Sequence, residues 1–195
     1  MNLFAGPAAG FDEPFELLQA CHERMHRSLG LLQRLGVHLA RQGADAQAAD
    51  AAADLLRYFD IAAPLHHQDE ERHVFPRLLH SGDTAARVLA GRLQAEHRAM
   101  ETAWARVRID LADVREGRLP AAGTLDEARQ RWAAFIALQS SHLDAEETQA
   151  YPRAREGLDA RQQQAMGHDM AQRRGVAPAL TPNASTRHRP AGSAP

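Results

Sequence analysis

Apolar positions step by three and four residues through most of the chain. From residue 15 they run Phe15, Leu18, His22, Met25, Leu29, Leu32, Gly36 and Leu39, the mark of one helix face packed in a bundle. This spacing predicts helix A from an Asp12 cap to Gln42, with Gly43 ending it. Helix B starts near Asp45 and shows Leu55, Phe59, His66, Glu70 and His73 on one face. Pro64 lies inside helix B and predicts a kink just before the histidine–glutamate pair. Pro76 sits near its end, and Ser81, Gly82 and Asp83 make the turn. Helix C covers about residues 84–116, with Leu89, Leu93, His97, Met100, Trp104, Val107, Leu111 and Val114 in register. Gly117 and residues 120–123 break it. Thr124 and Glu127 form a capping box that opens helix D, which presents Trp132, Phe135, His142 and Glu146 and ends beyond Pro152.

No segment alternates with a period of two. Four long helices with short connections predict an all-α, antiparallel up-down-up-down four-helix bundle over residues 12–157. Residues 1–11 read as an irregular lead-in, 158–174 as a short polar fifth helix, and 175–195 as a proline-rich disordered tail.

Histidine interrupts the seams where an aliphatic residue is expected. His22 stands alone in helix A and His97 in helix C. Helices B and D each carry a pair four residues apart, His66 with Glu70 and His142 with Glu146. The pairs sit in two copies of one motif, HHQDEERHVFP from His66 and HLDAEETQAYP from His142, both fitting H-x-x-x-E-E-x-x-x-[Phe/Tyr]-P. The lone histidine precedes its pair by nearly the same distance in both halves. The chain thus reads as two similar hairpins, A–B and C–D, related by a pseudo-twofold axis.

Residues four apart share a helix face. At about 100° per residue Glu146 lies about 40° from His142, and Glu147 about 140°. Glu70 and Glu146 therefore enter the seam, while Glu71 and Glu147 are expected to be solvated or to support the ligands. A buried carboxylate without a partner costs several kcal/mol, so two in one seam call for cations. Imidazole suits iron, zinc or copper, and a carboxylate can bridge two ions. The candidate metal ligands are His22, His66, Glu70, His97, His142 and Glu146. No catalytic set beyond them is assigned, and the pattern points to binding or redox chemistry rather than to a conventional enzyme.

Neighbouring residues receive plainer readings. His26 is expected to be solvated or to support a ligand, and His73 to line the pocket mouth. Glu101 is either a seventh ligand or a hydrogen-bond partner of a ligand histidine. His67 and His80 are expected on the surface, and Cys21 as a small buried hydrophobe. Tyr151 aligns with Phe75 and is expected to pack. Phe59, Trp104, Trp132 and Phe135 read as core that keeps the site dry. Arg153, Arg155, Arg161, Arg173 and Arg174 read as a solvated face.

Composition narrows the class. The 195 residues carry a net charge of −2, which supplies no basic field for nucleic acid. One cysteine rules out an internal disulfide framework and suits a reducing cytosol. No signal peptide or membrane span is legible, so a cytoplasmic location is expected.

Taken together, "LLQACHERMHRSL", "LHHQDEERHVFPRLL", "AEHRAM" and "SHLDAEETQAYP" resemble the hemerythrin-like HHE cation-binding domains over roughly residues 12–157. The resemblance implies a four-helix bundle around two non-heme iron ions with an oxo or hydroxo bridge. It makes His22, His66, His97 and His142 terminal ligands and Glu70 and Glu146 bridging ones. Oxygen-carrying hemerythrins usually have a second histidine one turn after the helix-C ligand, where this chain has Glu101. They use an aspartate where it has Glu147. The pattern looks closer to the HHE type, which includes iron-centre repair proteins. Those carry an N-terminal cysteine-bearing domain that this sequence does not show. The expected ligand is a small diatomic or peroxide. The competing uses are iron storage or delivery, an accessory part in iron-centre repair, and a non-catalytic helical interaction domain with a structural metal.

Overall fold

The computed structural model describes residues 10–176, which are helical throughout without a strand. The expectations for residues 1–9 and 177–195 lie outside the described residues. Helix α1 (Pro14–Gln42) is capped by Glu13, not Asp12, and Glu13 makes no side-chain cap bond. Pro14 takes the first helical position, and its ring holds the preceding residue out of the helical region. At the far end Gly43 leaves the helix at a φ of 76°.

Helix B is assembled from pieces. Asp45 caps α2 (Ala46–Arg57) by accepting the Ala48 N–H at 2.9 Å. A π-helical turn (Tyr58–Ala62) follows, then α3 (Ala63–His73) and α4 (Phe75–Leu79). The expected kink at Pro64 takes the form of this widened turn, in which the Ala63 N–H reaches back to the Tyr58 carbonyl. A proline ring crowds the carbonyl four residues before it, and an extra residue in the turn relieves that contact. Helix C is α5 (Thr84–Arg115). Helix D is α6 (Leu125–Ala145), opened by the Thr124–Glu127 capping box, then a second π turn (Glu146–Ala150) and α7 (Tyr151–Arg155). Last comes α8 (Ala160–Arg173), with its own capping box from Asp159 and Gln162.

The long helices close a ring: α1 packs on α2, α2 on α5, α5 on α6, and α6 on α1. Two apolar cores fill the bundle. One holds Met25, Leu29, Leu32, Phe59, Leu111, Trp132 and Phe135; the other holds Phe15, Leu18, Phe75, Leu93, Tyr151 and Met170. Along α1 the break between them falls at His22. Along α5 His97 follows Leu93, and along α6 His142 follows Phe135. The six candidate ligands thus form a polar slab between two greasy ends.

Helix α8 packs on α1 and α3. Asp69, next to Glu70 and fully buried, is gripped by Arg173 and by Arg174, whose Nη2 is 2.6 Å from Oδ2. His73 bonds Asp169 at 2.7 Å. These contacts correct two expectations. Arg173 and Arg174 are only 13% and 16% exposed rather than a solvated face, and His73 turns to α8 rather than to a pocket mouth. A buried carboxylate must find its counter-charge, and Arg72 on its own helix turns to Asp169 instead. Gly167 lets the Phe11 backbone cross α8, since a Cβ there would stand 1.7 Å from the Phe11 carbonyl oxygen.

Replacing Asp69 with alanine takes from Arg174 its carboxylate partner and leaves Arg173 with Asp169 alone. The expected loss is roughly 2–4 kcal/mol, read by urea denaturation, with amide exchange rising in α8 more than in α5. Equal exchange in both helices argues against the clamp.

Candidate metal centre

The structure brings the six residues together from four helical strands of the bundle. Each is 1% exposed or less. Two groups form, His22, His66, Glu70 and Glu146, and Glu70, His97, His142 and Glu146, with the ligand atoms of each within 4.8 Å of one another. The glutamates belong to both. Glu70 turns Oε1 to His66 Nε2 (3.1 Å) and Oε2 to His97 Nε2 (3.5 Å). Glu146 turns Oε1 to His142 Nε2 (3.0 Å) and Oε2 to His22 Nε2 (3.4 Å). Ligands about 2.1 Å from one ion stand about 3.0–3.5 Å from each other, which is the spacing seen.

The proton inventory sharpens the fit. Carboxylates only accept, so each imidazole facing one at Nδ1 carries its hydrogen there. His22 Nδ1 donates to Glu147 Oε1 at 2.9 Å, His97 Nδ1 to Glu71 Oε1 at 3.0 Å, and His142 Nδ1 to Glu96 Oε2 at 2.8 Å. In the neutral form of these imidazoles the Nε2 atoms present lone pairs inward. His97 Nε2 and His142 Nε2 meet at 3.0 Å, a contact that needs a cation or an added proton between them. His66 Nε2, Glu70 Oε2 and both Glu146 oxygens are buried without a hydrogen-bond partner among the described residues. Buried polar atoms are ordinarily satisfied, and outer hydrogen bonds that fix an imidazole are the usual support of a metal ligand.

A family model for the hemerythrin HHE cation-binding domain matches residues 13–154. The chain belongs to that family. An uncharacterized protein of Haemophilus influenzae is 30% identical over 169 residues, which span 86% of this chain and 94% of that protein.

Within this hemerythrin-like domain each doubled glutamate divides its labour. The first enters the site; the second, Glu71 or Glu147, crosses to the other hairpin and holds its lone histidine. Glu96 went unread in the sequence although its place announces it. It precedes His97 as Cys21 precedes His22. Correspondingly, Cys21 lies beside His66, the one imidazole without an outer carboxylate. Burial pushes the Cys21 thiol up, but His66, Arg24 and Arg174 outweigh that and hold it below its ordinary value.

Three other expectations change. Tyr151 packs, as expected, but its hydroxyl also enters the site, donating to Glu70 Oε1 and lying 2.8 Å from His22 Nε2. On a regular helix Tyr151 would face about 140° away from Glu146; the π turn absorbs the extra residue and swings it back. His67 is not a surface residue. It is half-buried and stacks on His97 at 4.1 Å. Burial and the neighbouring His97 push its imidazole well below the usual range. Glu101 is exposed and outside both groups, as is His26, 52% exposed and 3.9 Å from Glu147.

Without metal, protons take the cation's place. Burial lowers the His22 imidazole, but hydrogen bonds to Glu146 and Glu70 outweigh it and hold it at about 9. Burial raises the Glu70 carboxyl, and His66 and His22 pull it well below its ordinary value. The folded value for His22 exceeds the unfolded one, so its stabilisation is complete below about pH 6.5 and fades as pH rises through about 9. The metal-free protein is expected to lose on the order of 3 kcal/mol between those limits, measured by urea denaturation in chelator. His22→Gln flattens the profile; an unchanged profile in that variant contradicts the assignment.

Proposed function

We propose that this hemerythrin-like protein holds two non-heme iron ions and uses them to bind or sense a small diatomic molecule or peroxide. The observation that carries the reading is the pair of buried glutamates, each turning one oxygen to each histidine pair. That is the arrangement of two bridging carboxylates with two terminal imidazoles per ion. Iron so held would supply redox chemistry and an open coordination position. The donor set is rich in histidine and poor in carboxylate, unlike the oxidase centres built on Glu-x-x-His pairs.

A cavity of about 110 Å³ beside the site favours a ligand of few atoms. Phe59, Met100, Glu101 and Trp104 line it, with His67 standing between it and His97. None of the six residues lines this cavity or the larger depressions around Val37 and around Arg77; the cavity adjoins the site through His67 and Glu71, which both touch His97. The short connections support an antiparallel up-down-up-down order for the bundle. No helix among the described residues is long and apolar enough to cross a membrane, and the single cysteine supports a cytoplasmic setting.

Anaerobic loading is expected to give two irons per chain, and aerobic oxidation an oxo-bridged charge-transfer band. At a hundredfold excess over Kd, metal should raise Tm by about 5–10 °C. Glu146→Ala should abolish loading at both positions together. Fewer than two irons in the wild type, or melting indifferent to metal, overturns the reading in favour of a structural bundle.

A further inference from the structure

One difference between the two halves of the site is a single oxygen atom. Five residues after each buried glutamate the motif places an aromatic ring, Phe75 in one half and Tyr151 in the other. The Phe75 ring lies 5.1 Å from His97, and the Tyr151 ring lies 5.1 Å from His22, inclined by 26°. The rings occupy matched places beside the two lone histidines, and only Tyr151 carries a donor atom.

That oxygen is buried among the candidate ligand atoms of one group. It bonds Glu70 Oε1 and lies 2.8 Å from His22 Nε2. With His22 neutral, the form that can ligate a metal, the hydrogens do not suffice for both contacts. His22 commits its Nδ1 hydrogen to Glu147, so its Nε2 presents a lone pair to the phenol. The phenol has one hydrogen and gives it to Glu70. Two lone pairs then face each other across 2.8 Å, the same situation as His97 against His142. A cation among His22, His66, Glu70 and Tyr151 resolves it by drawing all of these lone pairs to one centre.

We infer that Tyr151 is a seventh ligand: its phenolate oxygen closes the ion held by His22 and His66, and the ion held by His97 and His142 keeps the open position. The inference rests on the two-iron reading and deepens it. On ligation the phenolic O–H bond breaks as the oxygen–iron bond forms. The proton leaves to solvent and no electron moves. The surroundings agree with unequal roles. His67 stacks on His97 and lines the 110 Å³ cavity, so the cavity adjoins the half of the site that lacks the phenol. On the closed side Cys21 stands where the open side has Glu96.

The test uses full-length protein loaded with iron, oxidised, and examined by resonance Raman in the visible band. Phenolate ring modes are expected in the wild type, shifting with ring-deuterated tyrosine. Tyr151→Phe should lose them while keeping two irons and its helical circular dichroism. The chain's other tyrosine, Tyr58, donates to the Cys21 carbonyl at 3.3 Å, so Tyr58→Phe should keep the modes; should Tyr151→Phe not fold, that variant makes the assignment by exclusion. Sodium azide should add its own modes without removing the phenolate's. Two irons without phenolate modes in the wild type overturn the ligand and leave the two-iron reading intact. Azide displacing the phenolate modes overturns the division between open and closed ions. Fewer than two irons overturns both readings.

Discussion

Two carboxylates buried at the centre of a helical bundle set the terms for everything around them. Glu70 and Glu146 are 0% exposed, and among the described residues no arginine pairs with them. Their compensation comes from imidazoles whose outer nitrogens give hydrogens to Glu71, Glu96 and Glu147, so each needs a second proton, on Nε2, to serve as a cation. A positive charge supplied from outside answers this most directly. The slab of polar atoms separates two apolar cores, so metal binding and bundle stability are one problem.

The doubled glutamates make the two hairpins depend on each other. Glu71 leaves the A–B hairpin to hold His97, and Glu147 leaves C–D to hold His22. Neither hairpin can orient its own lone histidine. A bundle with its hairpins out of register would lose both the candidate ligands and their supports, which gives the polar network a role in specifying packing. Helix α8 adds an outer lock. Its arginines neutralise Asp69, the residue immediately before Glu70, and so tie the chain beyond the bundle to the ligand-bearing helix.

The symmetry is incomplete in a way that matters chemically. Tyr151 stands opposite Phe75, and Cys21 opposite Glu96. Both differences fall on the His22–His66 side. The pseudo-twofold axis builds the pocket, and departures from it make the two positions chemically unlike.

Helical periodicity made the bundle legible, because seam positions recur every three or four residues whatever they pack against. It also selected His22, His66, Glu70, His97, His142 and Glu146, since a residue four places on shares its neighbour's face without any tertiary information. The rest depended on contacts between helices. His67 carries no local mark that distinguishes it from a solvated residue, and Glu96 is marked only by its place before His97; their roles come from the helix facing them. Arg173 and Arg174 read as surface until α8 docks on a buried aspartate. Tyr151 was hidden for a sharper reason: its direction follows from a π turn, and one extra residue in a turn reverses what a period of about 3.6 predicts. The sequence by itself determined which faces would be apolar and which side chains could share a point. The tertiary structure alone decided where each imidazole places its hydrogen, because that is set by an acceptor on another helix.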